Sequence, residues 1–302
     1  MIPRTSYDIQ LAHGGVLRLG ARTLVMGVVN VTPDSFAGNG GGVDAGRAVA
    51  EGLALVEAGA DLLDVGGEST RPGAAPIDAA EESSRVLPVV EALARQATVP
   101  ISIDTYKASV ARRATAHGAS LVNDVSGLRY DPDLAEATAE ARAALVVSHT
   151  RGRARDMYGE AHYAAVADEV AAELEWSLRT AVAAGIPRDR LIVDPGIGFA
   201  KRAGQSFTML AQLDRLRSLD RPILVGPSRK SYLTAVLGDV PPEHREWGTA
   251  GAVAASVLLG AHIVRVHGVR AMLDVVRVAD AIRMHRGTAD PEAPAASSFT
   301  TS

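Results

Sequence analysis

Eight times along the chain a short apolar run gives way to a longer, alanine-rich amphipathic segment, and this alternation constrains the fold more than any other feature. The runs predict strands at residues 24–31, 61–65, 101–104, 121–125, 144–148, 191–194, 223–226 and 263–266. The segments that follow them carry apolar residues at helical spacing and predict helices at 44–58, 79–95, 107–117, 132–141, 163–184, 205–219, 245–259 and 271–285. Strands that are apolar at successive positions are buried on both faces, which means a parallel sheet wrapped by helices. Eight such units in roughly 250 residues fit a (β/α)8 TIM barrel better than an open sheet.

Two ends lie outside the repeat. Residues 7–19 alternate around Gly14-Gly15 and predict a short N-terminal β-hairpin, placed to plug the barrel bottom. Residues 287–302, rich in Ala, Pro, Ser and Thr, predict a disordered tail, leaving a single domain over 1–286. With no cysteine there is neither a disulfide framework nor a thiolate nucleophile. A net charge of −4 argues against a general nucleic-acid binder, although local basic groups can still hold a phosphate or carboxylate. The longest apolar stretch, 250–264, is broken by Gly260 and His262 and is too short to span a membrane, and the first residues lack the order of a signal peptide. The expectation is a cytoplasmic protein.

In such a barrel the active site forms where the strands end. Those positions read Asn30; Glu68, Ser69, Thr70 and Arg71; Asp104; Asn123 and Asp124; His149 and Arg151; Asp194; Ser228, Arg229 and Lys230; and Arg265 and His267. Each has a bland explanation when taken alone. Asp104 or Asp194 could cap a helix or start a turn, and Lys230 could be a solvated lysine. Repetition around the ring favours function, because unpartnered buried polar groups are costly. The ring is also divided: Asp104, Asn123 and Asp194 suit the N–H edge of a planar heterocycle, whereas Arg71, Lys230, Arg265 and His267 suit a phosphate or carboxylate.

The first strand, "MGVVN", ends in an amide and runs into Thr32-Pro33-Asp34-Ser35-Phe36 and then glycines at 38, 40, 41 and 42. The glycines stand too far from the strand end for a dinucleotide fingerprint, and a flap with glycine hinges is the better reading. "GPSRKS" has the wrong spacing for a phosphate-binding loop of the Walker type.

Seven motifs in order, "MGVVNVTPDSF", "DVGGESTRPGA", "SIDTYK", "VNDVSG", "DPGIGFAK", "VGPSRKS" and "RVHGV", closely resemble dihydropteroate synthase and span nearly the whole chain. The resemblance implies a barrel that condenses (7,8-dihydropterin-6-yl)methyl diphosphate with 4-aminobenzoate, releasing diphosphate, on the route to folate. It also implies Mg2+ on the diphosphate and a homodimer through the later helices, in a family that is the target of sulfonamides, which imitate the aminobenzoate. By position, Asp104, Asn123, Asp194 and Lys230 are implied to hold the pterin. Asn30 is implied to meet the magnesium-diphosphate, with Arg265 and His267 gripping its oxygens. Thr70 and Arg71 fall near the diphosphate and aminobenzoate, and Ser228, at an expected helix start, suits the aminobenzoate carboxylate. Phe36 and Pro72 are implied to wall in its ring, with residues 34–36 as a lid, and Phe199 keeps a family position. Two departures stand out: Thr150 occupies the place of a methionine that packs on the pterin, and Ile197 replaces a common phenylalanine. The alternatives are a catalytically silent pterin-binding paralogue and a pterin-dependent methyltransferase barrel. The second has no diphosphate to bind, so "NVTPDSF" and "SRKS" count against it.

Overall fold

The structure, a computed structural model, describes residues 4–32, 44–69, 73–153 and 155–285. The lid and glycine tract at 33–43, Thr70, Arg71 and Pro72, and the predicted tail therefore lie outside the described residues.

The chain opens with an antiparallel hairpin of β1 (Tyr7–Gln10) and β2 (Val16–Leu19). Eight parallel strands follow: β3 (Leu24–Asn30), β4 (Leu62–Gly66), β5 (Ile101–Asp104), β6 (Leu121–Asp124), β7 (Ala144–Ser148), β8 (Leu191–Asp194), β9 (Leu224–Val225) and β10 (Ile263–Val266). Their order is β8-β7-β6-β5-β4-β3-β10-β9, and a parallel bridge between Val193 and Ile223 joins the two ends into a ring. This is the TIM barrel that the alternation predicts.

The helices return along the outside. They are α1 (Ala45–Glu57), α2 (Ala79–Gln96), α3 (Ala108–Ala116), α4 (Leu134–Glu140), α5 (Val166–Ala183), α6 (Ala203–Ala211), α7 (Thr234–Leu237), α8 (Glu246–Leu258) and α9 (Val269–His285). Asp44 and Asp78 accept from Arg47 N and Glu81 N, so the first two helices start at side-chain caps. The predicted helix at 205–219 divides into α6 and a 3-10 segment, Leu213–Leu219. The predicted strand at 223–226 shortens to two residues, and α7 was not anticipated.

Side chains alternate across each strand, giving two apolar layers. The outward set, including Val25, Leu63, Ile103, Val122, Val147, Val193 and Val264, packs under the helices. The inward set, including Leu24, Met26, Leu62, Leu121, Ile192, Leu224 and Ile263, forms one cluster with Ile9, Leu11, Leu17 and Leu19 of the hairpin. The hairpin therefore seals the barrel base, as the sequence predicts, although its connection is a 3-10 turn at Ala12–Gly14 in which His13 and Gly14 take positive φ. Arg4 pins this seal by donating to Thr23 Oγ1 at 2.7 Å and to the Ala261 carbonyl at 2.5 Å. With the base filled by hydrocarbon, polar groups gather at the opposite mouth.

Candidate active site

Strand register sets the first layer of the site. Asn30 pairs with Gly66, Gly66 with Asp104, and Asp104 with Asn123, so these residues stand at one level and face one way. Gly66 leaves the wall beside Asp104 open, since an added Cβ there would sit 3.4 Å from the Asp104 Cβ. One layer deeper is Asp64, which sequence reasoning missed. Its side chain is fully buried, and its Oδ2 accepts from Arg265 Nε at 2.6 Å and from Asn123 Nδ2 at 2.8 Å. Arg265 reaches Asp104 Oδ2 with its other edge at 2.8 Å. One guanidinium thus braces two carboxylates, a geometry that its planar fork suits.

Burial pushes the Asp104 carboxyl upward and Arg265 pulls it back. Burial works against the Arg265 charge too, but Asp64 and Asp104 raise it on balance, so the guanidinium remains a fixed cation. Asp64 Oδ1 and the hydroxyl of its register partner Ser102 are buried without a protein partner. Both acceptor positions therefore have spare hydrogen-bonding capacity inside the barrel.

The second half of the site comes from β8 and β9. Asp194 ends β8, and its Oδ1 accepts from Gly196 N at 2.7 Å. Burial pushes its carboxyl up, with Lys230 opposing. Lys230 donates to the Ile197 carbonyl at 2.5 Å and lies 4.1 Å from the centre of the Phe199 ring. Desolvation lowers its ammonium to about 8, against the pull of Asp194. Ser228 and His267 meet beside this group, Ser228 Oγ lying 3.0 Å from His267 Nδ1 and accepting from His267 N at 3.3 Å. Ser228 is in a turn ahead of the 3-10 segment Ser231–Leu233, not at a helix start, so it offers no row of free helix amides, and its hydroxyl meets His267.

Asn30, Asp104, Asn123, Asp194, Phe199, Ser228, Lys230, Arg265 and His267 therefore all stand at the strand ends of one barrel mouth. Other members of the predicted ring serve the scaffold. Asp124 accepts from Ser126 N and Leu128 N and shapes its own loop. Glu68 holds Lys107 and Tyr106, Arg229 pairs with Glu246, and Arg151 joins Glu169 and Glu173 outside the barrel. His149 is buried between Glu173 and Lys201. Sequence signals for the two missed groups differ. Asp64 is an acid in the middle of the run Leu62–Gly66 and could have been found as a charge inside a buried strand. Lys201 follows a glycine-rich loop and reads as any exposed lysine.

A cavity of about 330 Å³ opens beside the polar floor, lined by Glu68, Tyr106, Val125, Thr150, Met157 and Phe199 among others. Met157, from the following loop, is buried and lines the same cavity as Thr150.

Residues 26–267 match the family described as pterin binding enzyme. The dihydropteroate synthase of Synechocystis is 41% identical over 263 residues, covering 87% of this chain and 91% of the relative. The structure of the Xanthomonas albilineans dihydropteroate synthase with 4-aminobenzoic acid superposes with a TM-score of 0.85 at 42% identity, covering 92% of this chain and 99% of that one. The Burkholderia cenocepacia synthase complexed with 7,8-dihydropteroate gives 0.83 at 39% identity, covering 93% and 98%. On this match, which takes in every strand-end residue of the mouth, the chain belongs to the pterin binding enzyme family.

Proposed function

We infer that the chain is a dihydropteroate synthase, a transferase of folate biosynthesis that joins (7,8-dihydropterin-6-yl)methyl diphosphate to 4-aminobenzoate and releases diphosphate. The observation that carries this reading is the division of one buried mouth into an acceptor-rich floor and a cationic rim. Asp104 and Asp194 are acceptors when ionised, and Asn123 adds an amide, a set suited to the N–H edge of a pterin. Lys230, Arg265 and His267 supply positive charge and donors where a diphosphate leaves. Ser228 and Phe199 lie on the same side and suit the carboxylate and the ring of aminobenzoate. Thr70, Arg71, Pro72 and Phe36 belong to the proposal by position in the sequence alone.

The donor set bears on magnesium. Among the described residues, no three His, Asp or Glu side chains gather as a ready metal cage. Asn30 offers one neutral oxygen at the mouth, which fits an ion carried mainly by substrate phosphates. Asn30 would hold that ion, and when bound it neutralises charge on the leaving diphosphate.

In the chemistry proposed, the C–O bond to diphosphate breaks first, and positive charge at the methylene is shared with the electron-rich pterin. Asp104 and Asp194 favour that charge, while Arg265, Lys230 and His267 stabilise the departing anion. The neutral amine, held close by its anchored carboxylate, then attacks the methylene, and the ammonium so formed loses a proton to the released diphosphate or to solvent. A homodimer belongs to the same proposal. Leu237, Trp247, Val278, Ile282 and Met284 on α7, α8 and α9 are exposed apolar side chains, Trp247 at 88%. A cytoplasmic location is also part of it; no described helix is long and apolar enough to cross a membrane.

The test is direct. Purified protein with the pterin diphosphate, Mg2+ and labelled 4-aminobenzoate should release labelled 7,8-dihydropteroate and diphosphate in equal amounts. Asn30→Ala should slow diphosphate release even when aminobenzoate is omitted. Tight pterin binding without product would show a binding protein and end the synthase reading.

A further inference from the structure

Behind the mouth lies a charged group that the chemistry above does not use. Lys201 is 1% exposed, and its Nζ is within hydrogen-bond distance of His149 Nδ1 at 2.8 Å, the Phe199 carbonyl at 3.1 Å and the Gly196 carbonyl at 3.2 Å. A fourth acceptor, the His149 carbonyl, lies farther off at 3.5 Å, and as an ammonium Lys201 donates to His149 Nδ1, leaving the His149 proton on Nε2. That Nε2–H donates to Glu173 Oε2 at 3.1 Å, and Glu173 in turn takes Arg151 Nε at 3.0 Å. The result is a polar ladder running from the back of the β8 loop to α5. Burial lowers Lys201 to about 7, and burial followed by the Lys201 charge lowers His149 to about 4.

An ammonium buried this completely costs several kilocalories in desolvation, whereas methionine would fill nearly the same volume without that cost. Packing alone gives no reason for a lysine here. The loop that it grips does. Residues 194–201 alternate into the left-handed region at Gly196, Gly198 and Ala200, with φ of 63°, 80° and 47°. Such a turn makes few bonds of its own; Phe199 N to the Gly196 carbonyl is one. Yet three groups on this loop define the second half of the site. They are Asp194, whose carboxylate takes Gly196 N; the Ile197 carbonyl, which holds Lys230; and the Phe199 ring, which lies against the Lys230 ammonium.

We propose that Lys201 is a positioning residue for the synthase reaction, using the Gly196 and Phe199 carbonyls to fix the loop that sets Phe199 and Lys230 against the substrates. The proposal rests on the synthase reading. It assigns the His149–Glu173–Arg151 ladder the role of holding the Lys201 ammonium in place from behind.

Lys201→Met removes the donors and keeps the volume. Steady-state kinetics on the full chain should show the KM for 4-aminobenzoate raised tenfold or more and kcat reduced. Affinity for inorganic diphosphate, measured by calorimetry with Mg2+, should fall by less than threefold, because Arg265 and His267 are on other strands and only Lys230 loses its setting. A variant that melts earlier but keeps KM and kcat within twofold would overturn the proposal and leave Lys201 a tie for stability only. Equal losses of aminobenzoate and diphosphate binding would also overturn it, since the defect would then be global. Should Lys201→Met not accumulate as folded protein, Lys201→Leu, which also lacks the donors, is read by the same criteria. Absence of product from the wild-type protein is a separate result, and it counts against the synthase reading alone.

Discussion

Arg265 braces Asp64 and Asp104 together, so the effect of removing Asp64 should depend on whether the arginine is present. Asp64→Ala takes away the acceptor of Arg265 Nε and of Asn123 Nδ2, at 2.6 and 2.8 Å. Breaking a buried ion pair typically costs about 3–5 kcal/mol. The lower part of that range applies here, because Asp104 still holds the guanidinium at 2.8 Å. Stranding the Asn123 amide adds to it, at about 1–3 kcal/mol for a buried donor left without a partner. These terms overlap, and a total near ~4 kcal/mol is expected. Arg265→Gln leaves Asp64, whose side chain is 0% exposed, and Asp104, at 16%, facing each other without their cation. It should cost about 5 kcal/mol. In that background Asp64→Ala removes an uncompensated carboxylate, so it should cost almost nothing or restore stability. The coupling should be about 3 kcal/mol or more, well above what independent sites show. Urea unfolding of the four proteins at neutral pH, compared at equal m-values, measures it. If Asp64→Ala costs the same in both backgrounds, within about 0.5 kcal/mol, Arg265 is not the element that makes the buried acid tolerable.

Two further outcomes follow from local geometry. Gly196→Ala would place a Cβ 1.9 Å from the His149 carbonyl oxygen at a φ of 63°, so both overlap and backbone strain oppose it. The loss should be on the order of 4 kcal/mol, read as a fall in the urea midpoint, whereas Gly204→Ala, where nothing lies within 4 Å, should be near neutral. At the barrel base, His262 Nδ1 accepts from Ile223 N at 3.1 Å, and burial lowers its imidazole to about 4. Because its folded pKa lies below the ordinary value of 6.5, the unfolded chain binds more protons between pH 6.5 and 4, and stability falls as pH drops through that window. His262→Asn removes this titration and should flatten the slope of stability against pH by up to ~1.4 kcal/mol per unit, whatever its effect at pH 7; an unchanged slope would mean that His262 is protonated in the fold.

Periodicity made the barrel legible. The predicted strands at 101–104, 144–148, 191–194 and 263–266 match β5, β7, β8 and β10 to the residue; the first three end at a polar group that apolar burial cannot extend past, and the fourth stops at Val266, just before His267. The same rule worked less well at 223–226, where the strand pairs over only two residues with β10 and one bridge with β8, so its length was set by neighbours that the local sequence does not describe. Helical spacing cannot distinguish α6 from the 3-10 segment that follows it. The strand-end residues of the site were readable as a ring, but their sorting was not. Asp104 and Asp124 look alike as strand-terminal acids; the first faces Arg265 inside the barrel and the second turns outward to bind its own loop. Which face a terminal residue takes depends on register, and register is a property of the closed sheet. Lys201 was hidden for a related reason, since its one partner outside its own loop, His149, follows β7 and is distant in sequence.

The Arg4 anchor at the base has a bearing on architecture beyond this chain. Arg4 Nη2 is 3.5 Å from Asp280 on α9, and Asp280 also accepts from Thr23 N at 2.6 Å. Because α9 runs back against the strand direction, its last turn arrives at the same face as residue 4, opposite the mouth. Both exits of the described chain thus leave from the closed side. A second catalytic module could be joined at either exit, in tandem or in reverse order, without a linker crossing the substrate entrance. The stoppered base therefore makes the barrel a cartridge that can be built into longer polypeptides.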